Sequence, residues 1–509
     1  MPAGADGTSA RPRHAVRQVS LAAAFGALVA LGQAPFALWW LAVAALAGFF
    51  LLVARTPGRA RLLWLSAAAG TGYGAAGLFW IVEPFLVDAP RYGWMAPFAL
   101  VLMALGMGAF WTLGGALALV AGSGRAARVA GLAFGLAAAD LVRSYVFTGF
   151  PWNLTGHIWI GTPVMEAAAY VGPAGLCALT TLSAALPACA TRTGPRLLLA
   201  ALGAALLAAV WTGGTLRMAA PAAPRDPAIH VRLVQPNAAQ DQKWQGDMRQ
   251  VFLGRLFDLT ARPAAKPLDL VVWPETAIPY LLEDTGPLFE DIARASGGVP
   301  LVAGIQRRDG NRYFNSLVAT DGTGRILRIY DKYHLAPFGE YMPLGDLLAR
   351  FGIGAFAAQA GFGYTPGPGA RLLDLGRAGQ VLPLICYEAI FPQDLNAAPA
   401  RADWLLQVTN DAWFGKLSGP YQHLAQTRLR AVEQGLPLLR VANTGVSAVI
   451  DAHGRVLQSL PLDTEGIIDA EVPPALPATL YSRTGDVPTT IFLVAGLLTL
   501  ALGRRRLSH

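Results

Sequence analysis

The sequence predicts a multi-span α-helical membrane domain joined to an α/β layered domain. Composition is the first observation: 54% of the 509 residues are hydrophobic and only 14% are charged, whereas soluble domains are nearer a quarter charged. The second is the distribution of polar residues, which are concentrated in residues 227–486 between long apolar segments. A water-exposed domain placed between membrane-spanning helices explains both observations.

The apolar segments predict eight transmembrane helices. Residues 21–54 contain no charged residue, and at ~20 residues per span they accommodate two helices, with a break near Pro35. Further apolar segments of spanning length lie at about 62–82, 94–124, 129–149, 163–191, 197–215 and 487–503. We interpret the first segment as an uncleaved helix, because six more spans follow it without an intervening soluble stretch. The prediction is therefore a membrane domain at 1–217 with seven spans, a linker at 218–226, and an eighth span with a basic tail at 487–509.

The arginines between the predicted spans indicate their orientation, because basic residues concentrate in cytoplasmic loops. Arginines precede span one, lie between spans two and three, four and five, and six and seven, and end the chain. The alternate short loops contain Arg91 and Arg143 as their only Lys or Arg residues. We therefore predict a multi-pass protein of the cell inner membrane, with both termini cytoplasmic and residues 218–486 periplasmic.

The net charge of +8 does not indicate nucleic-acid binding. Residues 227–486 carry 23 basic and 26 acidic residues, a net charge of −3, while the remainder carries 17 basic and 6 acidic residues, a net charge of +11. The basic excess thus accompanies the apolar segments, where basic residues flank membrane spans. A basic face on the polar domain, which nucleic-acid binding requires, is missing.

The polar block alternates short β-rich runs with helical ones. The predicted strands are His230–Val234, Leu268–Trp273, Leu301–Ile305, Ser316–Thr320, Val381–Ile385, Trp404–Val408 and Leu438–Ala442, and the predicted helices lie at about 247–260, 286–296 and 421–434. Long apolar strands such as LDLVVW are typical of strands buried on both faces. This favours an α/β layered domain at residues 227–486.

Three short sequences, each at the end of a strand, carry the candidate chemistry. They are VVWPETAIP with Glu275, YDKYHLAPFGEYMP with Lys332 and Glu340, and LPLICYEAIFP with Cys386. A thiol needs a base or a positive neighbour to react at neutral pH. Glu275 could take its proton, and Lys332 could lower its pKa and stabilise an oxyanion. Each residue alone is more often structural, but an acid, a cation and a thiol together suffice for acyl transfer.

These motifs, with NDAWFG at 410–415 and RLRAVEQGLPLLRVANTG at 428–445, resemble the Glu-Lys-Cys motifs of the nitrilase, or carbon–nitrogen hydrolase, superfamily. Together with the predicted spans and the segment FTGFPWN at 147–153, nearly the full chain resembles the bacterial apolipoprotein N-acyltransferase family. The resemblance implies that residues 227–486 form a nitrilase-like αββα sandwich.

The resemblance also implies a role for each site residue. Glu275 is the general base, Lys332 stabilises the intermediate and Cys386 carries the acyl chain. The residues implied to support them are Glu340, Tyr387, Glu388 and the aromatic Trp244. The implied reaction takes an acyl chain from a phospholipid, typically phosphatidylethanolamine, and transfers it through a Cys386 thioester to the α-amine of diacylglyceryl-cysteine in an apolipoprotein. No metal or cofactor is implied, no clustered metal-ligand spacing is seen, and a monomer is expected.

Two alternative functions stay open at this point. A membrane-tethered nitrilase or amidase would use the same three residues on a small amide, although eight spans exceed what a tether needs. A transporter with an accessory domain would carry charged residues within its spans, and only Asp140 and Glu166 qualify, both near outer helix ends.

Several other residues are assigned roles outside the catalytic set. Asp140 and Arg143, three apart on a helix, either pair internally or form with Glu166 a polar shelf. His423 is predicted to be structural, and Cys177 and Cys189 lie in an apolar run as small hydrophobic residues. The apolar, Gly-rich segment 344–364 is either packed over the core or a mobile arm beside the acyl site.

Overall fold

The computed structural model describes residues 10–121, 124–240, 242–243, 246–343 and 363–507. The chain divides into two compact units. The membrane unit consists of Met1–Ala220 and Thr484–His509, and the sandwich unit consists of Pro221–Arg483. The sandwich unit is therefore inserted between two segments of the membrane unit.

The described secondary-structure elements of the membrane unit are all helical. Its longer helices are α1 (Ala10–Ala30), α2 (Trp39–Arg55), α3 (Arg59–Gly77), α4 (Ala96–Ala118), α5 (Arg125–Arg143), α6 (Ala168–Cys189), α7 (Thr193–Met218) and, after the sandwich unit, α11 (Val487–Leu507). Its short helical turns are Phe79–Val82, Glu83–Leu86, Ala89–Tyr92, Gly93–Met95, Val146–Thr148, Thr155–Trp159 and Pro163–Ala167. Glycine brings α1 and α3 close together, since a Cβ on Gly26 would lie 1.8 Å from the carbonyl oxygen of Ala69. Small residues of this kind let helix backbones approach closely in a membrane.

Several of these helices have the length and composition of membrane spans. Within the described residues, three helical stretches qualify on their own: Ala89–Ala118, Pro163–Cys189 and Thr193–Ala219. A fourth results if the bent pair Arg59–Gly77 and Phe79–Leu86 is one span, and three shorter apolar helices lie at His14–Ala30, Trp39–Arg55 and Val487–Gly503. The fifth predicted span, at about 129–149, overlaps α5 (Arg125–Arg143), which contains four charged residues. The count of eight spans stays a prediction.

Buried ion pairs connect the polar residues of the membrane unit. Arg143 pairs with Asp140 at 3.0 Å and donates hydrogen bonds to the carbonyl oxygens of Phe150 and Trp152 at 2.6 and 2.7 Å. Asp140 also accepts hydrogen bonds from the backbone N–H and the hydroxyl of Thr155. These contacts fix the segment that follows α5. Of the two interpretations given above, the structure shows internal pairing.

The sandwich unit contains two six-stranded sheets within its described residues. Sheet 1 has the order β12-β1-β2-β3-β4-β5 and sheet 2 the order β11-β10-β9-β8-β7-β6. The strands are β1 (His230–Gln235), β2 (Leu270–Val272), β3 (Leu301–Asp309), β4 (Arg312–Thr320), β5 (Ile326–Asp331), β6 (Leu373–Asp374), β7 (Gln380–Ile385), β8 (Trp404–Thr409), β9 (Leu438–Ala442), β10 (Ser447–Ile450), β11 (Val456–Leu460) and β12 (Gly466–Glu471). Strands β1–β2–β3 and β7–β8–β9 pair in parallel, and β5 runs in the same direction as β3 because two antiparallel pairings separate them.

Three apolar clusters show that the layers are ordered helix, sheet, sheet, helix. One buried cluster combines side chains of both sheets, among them Val231, Val302 and Leu406. A second packs α8 (Gly246–Thr260) and α9 (Leu288–Ala295) on the outer face of sheet 1, and a third packs α10 (Gly419–Gln434) on that of sheet 2. The expected αββα sandwich is therefore confirmed. Its parallel strands bring their carboxyl ends to one edge, where ligand sites form in α/β sheets.

Candidate active site

Four of the predicted site residues meet at this edge. Cys386 directly follows β7, Lys332 directly follows β5, and Glu275 lies just beyond β2. The Lys332 ammonium lies 2.8 Å from Oε2 of Glu340 and 3.8 Å from Oε1 of Glu275. All four side chains are buried. The structure thus places a thiol, a cation and two carboxylates in one pocket of the sandwich unit.

Both carboxylates are held by hydrogen bonds from a residue that the sequence did not single out. Asn315 on β4 donates from Nδ2 to Oε1 of Glu275 at 2.7 Å and to Oε1 of Glu340 at 3.0 Å. The second oxygen of Glu275 accepts from the backbone N–H of Asn410 at 2.8 Å, and that of Glu340 accepts from the N–H of Ala336 at 2.8 Å. The available signal was a polar residue in an apolar strand, which needs a buried partner.

Burial and charge set the ionisation of the carboxylate and the cation. Burial raises the pKa of Glu275 above its ordinary value, while the Lys332 charge opposes this rise and the Glu340 charge adds to it. For Lys332, burial alone would lower the pKa, but Glu340 and Glu275 outweigh it and the net direction is upward. Lys332 is therefore a fixed positive charge at neutral pH, and Glu275 is a stronger base than an exposed glutamate.

The thiol of Cys386 is held in its protonated form at rest. Burial raises its pKa, the negative charge of Glu275 raises it further, and the positive charge of Lys332 opposes both. A base must therefore remove the proton as the thiol reacts. The backbone of Cys386 has φ +51°, a left-handed conformation that costs a non-glycine residue on the order of 1–3 kcal/mol. Such strained residues persist only where their surroundings hold them.

Glu388 connects the turn at the nucleophile to the segment around Lys332. Its Oε2 accepts from the backbone N–H of Ile385 at 2.7 Å, and its Oε1 accepts from the Tyr330 hydroxyl and the Tyr333 N–H, each at 2.9 Å. Burial raises the pKa of Glu388 to about 7, against the lowering effect of the Ile385 hydrogen bond and the Lys332 charge. Glu388 thus links the backbone at Ile385, beside the nucleophile, to the backbone at Tyr333, beside Lys332.

Of the remaining predicted site residues, the structure describes Tyr387 but not Trp244. Tyr387 is buried, and its ring meets the ring of Phe391 edge to face at 4.9 Å. Trp244 and residues 344–362 of the predicted arm lie outside the described residues. Their assignments stay predictions.

His423 lies behind the nucleophile and contacts its backbone. Its Nε2 is 3.1 Å from the carbonyl oxygen of Cys386, and its Nδ1 is 2.9 Å from Oδ1 of Asp411. Arg440 pairs with the same aspartate, and Gln407 donates to the Cys386 carbonyl at 3.2 Å. These contacts agree with the structural role predicted for His423. No group of three or more His, Cys, Asp or Glu side chains among the described residues could hold a metal ion.

Two family models match the chain. Residues 230–479 match the carbon-nitrogen hydrolase family, and residues 25–186 match the apolipoprotein N-acyltransferase N-terminal domain. The apolipoprotein N-acyltransferase of Brucella melitensis is 38% identical over 506 residues, covering 94% of each chain. That of Rhodopseudomonas palustris is 36% identical with the same coverage, and that of Caulobacter vibrioides is 38% identical over 456 residues, covering 86% of this chain and 85% of its own. The chain belongs to the apolipoprotein N-acyltransferase family.

Membership in the apolipoprotein N-acyltransferase family makes this chain a membrane protein and an acyltransferase. The predicted family and the predicted class of enzyme are thereby confirmed, and the amidase alternative has less support. Among solved structures, an amidase from Nesterenkonia sp. is 21% identical with a TM-score of 0.36, covering 49% of this chain and 92% of its own. A carbon-nitrogen hydrolase from Helicobacter pylori is 18% identical with a TM-score of 0.36, covering 48% and 89%.

Proposed function

We propose that this acyltransferase moves a fatty acyl group from a membrane phospholipid, through a thioester on Cys386, to the α-amine of diacylglyceryl-cysteine in an apolipoprotein. The observation that carries the proposal is the buried thiol that shares a pocket with one fixed cation and two oriented carboxylates. Phosphatidylethanolamine is the proposed donor, the protein acts as a monomer, and no cofactor takes part.

In the first half-reaction, Glu275 accepts the proton of Cys386 as the sulfur attacks the ester carbonyl of the phospholipid. The carbonyl oxygen gains negative charge, which the nearby ammonium of Lys332 stabilises. The intermediate collapses by breaking the bond between the carbonyl carbon and the glycerol oxygen. Glu275 returns the proton to that oxygen, and a lysophospholipid leaves while the acyl chain stays on Cys386.

In the second half-reaction, the α-amine of the apolipoprotein attacks the thioester carbonyl. Glu275 now accepts a proton from the attacking nitrogen, and Lys332 again stabilises the oxyanion. Breaking the carbon–sulfur bond forms the amide, and Glu275 returns the proton to the sulfur. The enzyme alternates between a free and an acylated thiol, which is a ping-pong mechanism.

The proposed substrates explain why the catalytic unit belongs to a membrane protein. Moving acyl chains from the bilayer into water costs about 0.8 kcal/mol per CH₂, so both substrates stay in the membrane during the reaction. Following the arginine distribution of the sequence, we assign the sandwich unit to the periplasmic side and both termini to the cytoplasm.

Intact-protein mass spectrometry tests the proposal. After incubation with phosphatidylethanolamine vesicles, the purified enzyme is expected to gain the mass of one acyl chain, and lysophospholipid is expected in the lipid fraction. Cys386→Ala should gain none, whereas Cys177→Ala should behave as the parent because Cys177 lies in α6 of the membrane unit. An acyl adduct on Cys386→Ala would overturn the nucleophile assignment. Cleavage of a small amide without lysophospholipid release would favour the amidase.

A further inference from the structure

We infer that Lys243 is a positioning residue for the general base, holding the backbone at Glu275 and supplying the second positive charge of the buried pocket. Neither half-reaction above uses this residue. The inference rests on the proposed role of Glu275 as the base.

Lys243 makes two hydrogen bonds to the chain at Glu275 and Thr276. Its side chain is 4% exposed, and its Nζ donates to the hydroxyl of Thr276 at 2.8 Å and to the carbonyl oxygen of Glu275 at 3.4 Å. Thr276 has φ +47°, a left-handed conformation that is unfavourable for a β-branched residue. The lysine therefore contacts the chain at the strained residue next to the base, where a contact can keep the Glu275 carboxylate in place.

The same turn also packs tightly against β3. A Cβ on Gly304 would lie 2.4 Å from both the carbonyl oxygen of Pro274 and the backbone nitrogen of Thr276. The turn thus contacts both β3 and Lys243. Removing the lysine leaves only one of these two constraints.

Charge balance gives Lys243 its second role. Glu275 and Glu340 contribute two negative charges to the pocket, and Lys332 contributes one positive charge. Lys243 makes the formal sum zero, and the sum stays zero when a proton passes from Cys386 to Glu275. A buried charge without compensation is costly. Two further acids lie nearby and have partners of their own: Glu388 accepts from backbone and tyrosine donors, and Asp411 pairs with Arg440.

The charge of Lys243 acts on the base directly. Although burial raises the pKa of Glu275, Lys243 is among the groups that lower it, together with Lys332 and the Asn315 hydrogen bond. Burial lowers the pKa of Lys243 itself to about 8, against the raising effect of Glu275, so the lysine is charged at neutral pH. Arg249 and Asn443 line the small cavity beside it. Loss of the Lys243 charge should therefore raise the pKa of Glu275.

The test measures, by intact mass, how the rate of Cys386 acylation by phosphatidylethanolamine depends on pH. The enzymes compared are the parent, Lys243→Met, Lys243→Arg, Thr276→Val and the exposed control Lys266→Met. Lys243→Met should shift the midpoint on the acid side of the pH–rate profile by about 0.5 pH unit or more toward higher pH, because the pKa of Glu275 rises. Lys243→Arg keeps the charge, so the midpoint should not move, but the acylation rate should fall. Thr276→Val loses the hydrogen bond but not the charge, so its rate should fall several-fold with no shift. Lys266→Met should match the parent.

The outcomes separate this inference from the proposed function. A parent enzyme that forms no thioester overturns both. A thioester-forming parent whose pH profile coincides with that of Lys243→Met overturns only the charge role of Lys243. If Lys243→Met does not fold, Lys243→Arg and Thr276→Val decide: parent-like rates in both overturn the positioning role.

Discussion

Burial and the neighbouring charges together set the pKa of the proposed base Glu275, and the pH dependence of the reaction follows from that pKa. Burial raises the pKa of Glu275, so the base is protonated, and inactive, up to a higher pH than an exposed glutamate. The rate of thioester formation should therefore rise with pH through a midpoint above about 4.3, the ordinary glutamate value. Single-turnover rates across a pH series check this. A rate independent of pH on the acid side would contradict the assignment of Glu275 as base.

Asn315 donates hydrogen bonds to two carboxylates at once, and its replacement by aspartate should strongly reduce the acylation rate. Asn315→Asp places a third carboxylate against Glu275 and Glu340 and removes the hydrogen bonds that orient them. We expect acylation of Cys386 to fall by at least about tenfold, because like charges at hydrogen-bond distance disfavour one another. The exposed residue Asn311 provides the control Asn311→Asp, which should retain the parent rate. Equal rates in the two variants would show that Asn315 does not orient the base.

Glu388 accepts every hydrogen bond that it makes, which predicts the effect of an amide in its place. In Glu388→Gln, one oxygen becomes an NH₂ group that faces an N–H donor, either of Ile385 or of Tyr333. A buried donor without an acceptor costs about 1–3 kcal/mol. The variant should unfold at lower temperature and acylate more slowly than the parent, whereas the exposed change Glu290→Gln should do neither. Thermal unfolding in detergent and acylation rates measure the two effects.

At the scale of secondary-structure elements, Arg143 shows how one side chain can hold a loop. It donates to the carbonyl oxygens of Phe150 and Trp152 and pairs with Asp140, and its own side chain is buried. Arg143→Met leaves a buried aspartate without its cation, a change that costs about 3–5 kcal/mol. We expect a clear fall in the unfolding temperature, while Arg192→Met at an exposed position should be neutral. An unchanged unfolding temperature would mean that the segment after α5 is held by other contacts.

The strands that the sequence predicted all lie inside the sheets, although the buried interior strand β10 was not predicted. Runs such as LVV in β2 are apolar throughout because both faces of the strand are covered. The strands that were missed include β5 and β11, whose side chains are largely exposed, and β6, which has two residues. Exposed edge strands carry mixed polar and apolar residues and resemble loops in sequence. Their pairing depends on distant strands, which a local pattern does not record.

The same limit applies to the pocket. Glu275 and Cys386 stand out because each follows an apolar strand within a recognisable motif, and Lys332 stands out by its motif. Asn315 and Lys243 do not stand out, and Asn410 was noted only as part of the motif NDAWFG, although each of the three contacts Glu275 or its neighbour in the chain. The Asn410 contact joins residues 135 positions apart. Contacts of this separation are created by the stacking of two sheets, so the sequence identified the reacting groups but not the residues that orient them.

At the scale of the whole molecule, the arginine distribution predicts which side of the membrane each segment occupies. A reporter that is active only after export should be active when fused after Arg225 and inactive when fused after Arg196. The reason is that short loops rich in arginine stay in the cytoplasm. The two fusions control for each other, since both follow the same upstream helices up to Arg196. The reverse pattern would place the sandwich unit in the cytoplasm and remove its access to periplasmic apolipoproteins.

The insertion of the sandwich unit between two segments of the membrane unit has a consequence for biosynthesis. Strand β12 pairs with β1 at one edge of sheet 1, and α11 returns to the membrane unit, where Phe492 meets the ring of Phe134 at 5.5 Å. The ribosome must therefore translate β12 before sheet 1 can be completed, and α11 before the described helices of the membrane unit are all present. A nascent chain that stops short of β12 exposes the unpaired edge of β1 and lacks α11, two features that proteases and chaperones recognise. Folding of both units is thereby tied to the same stretch of chain, from β12 to α11.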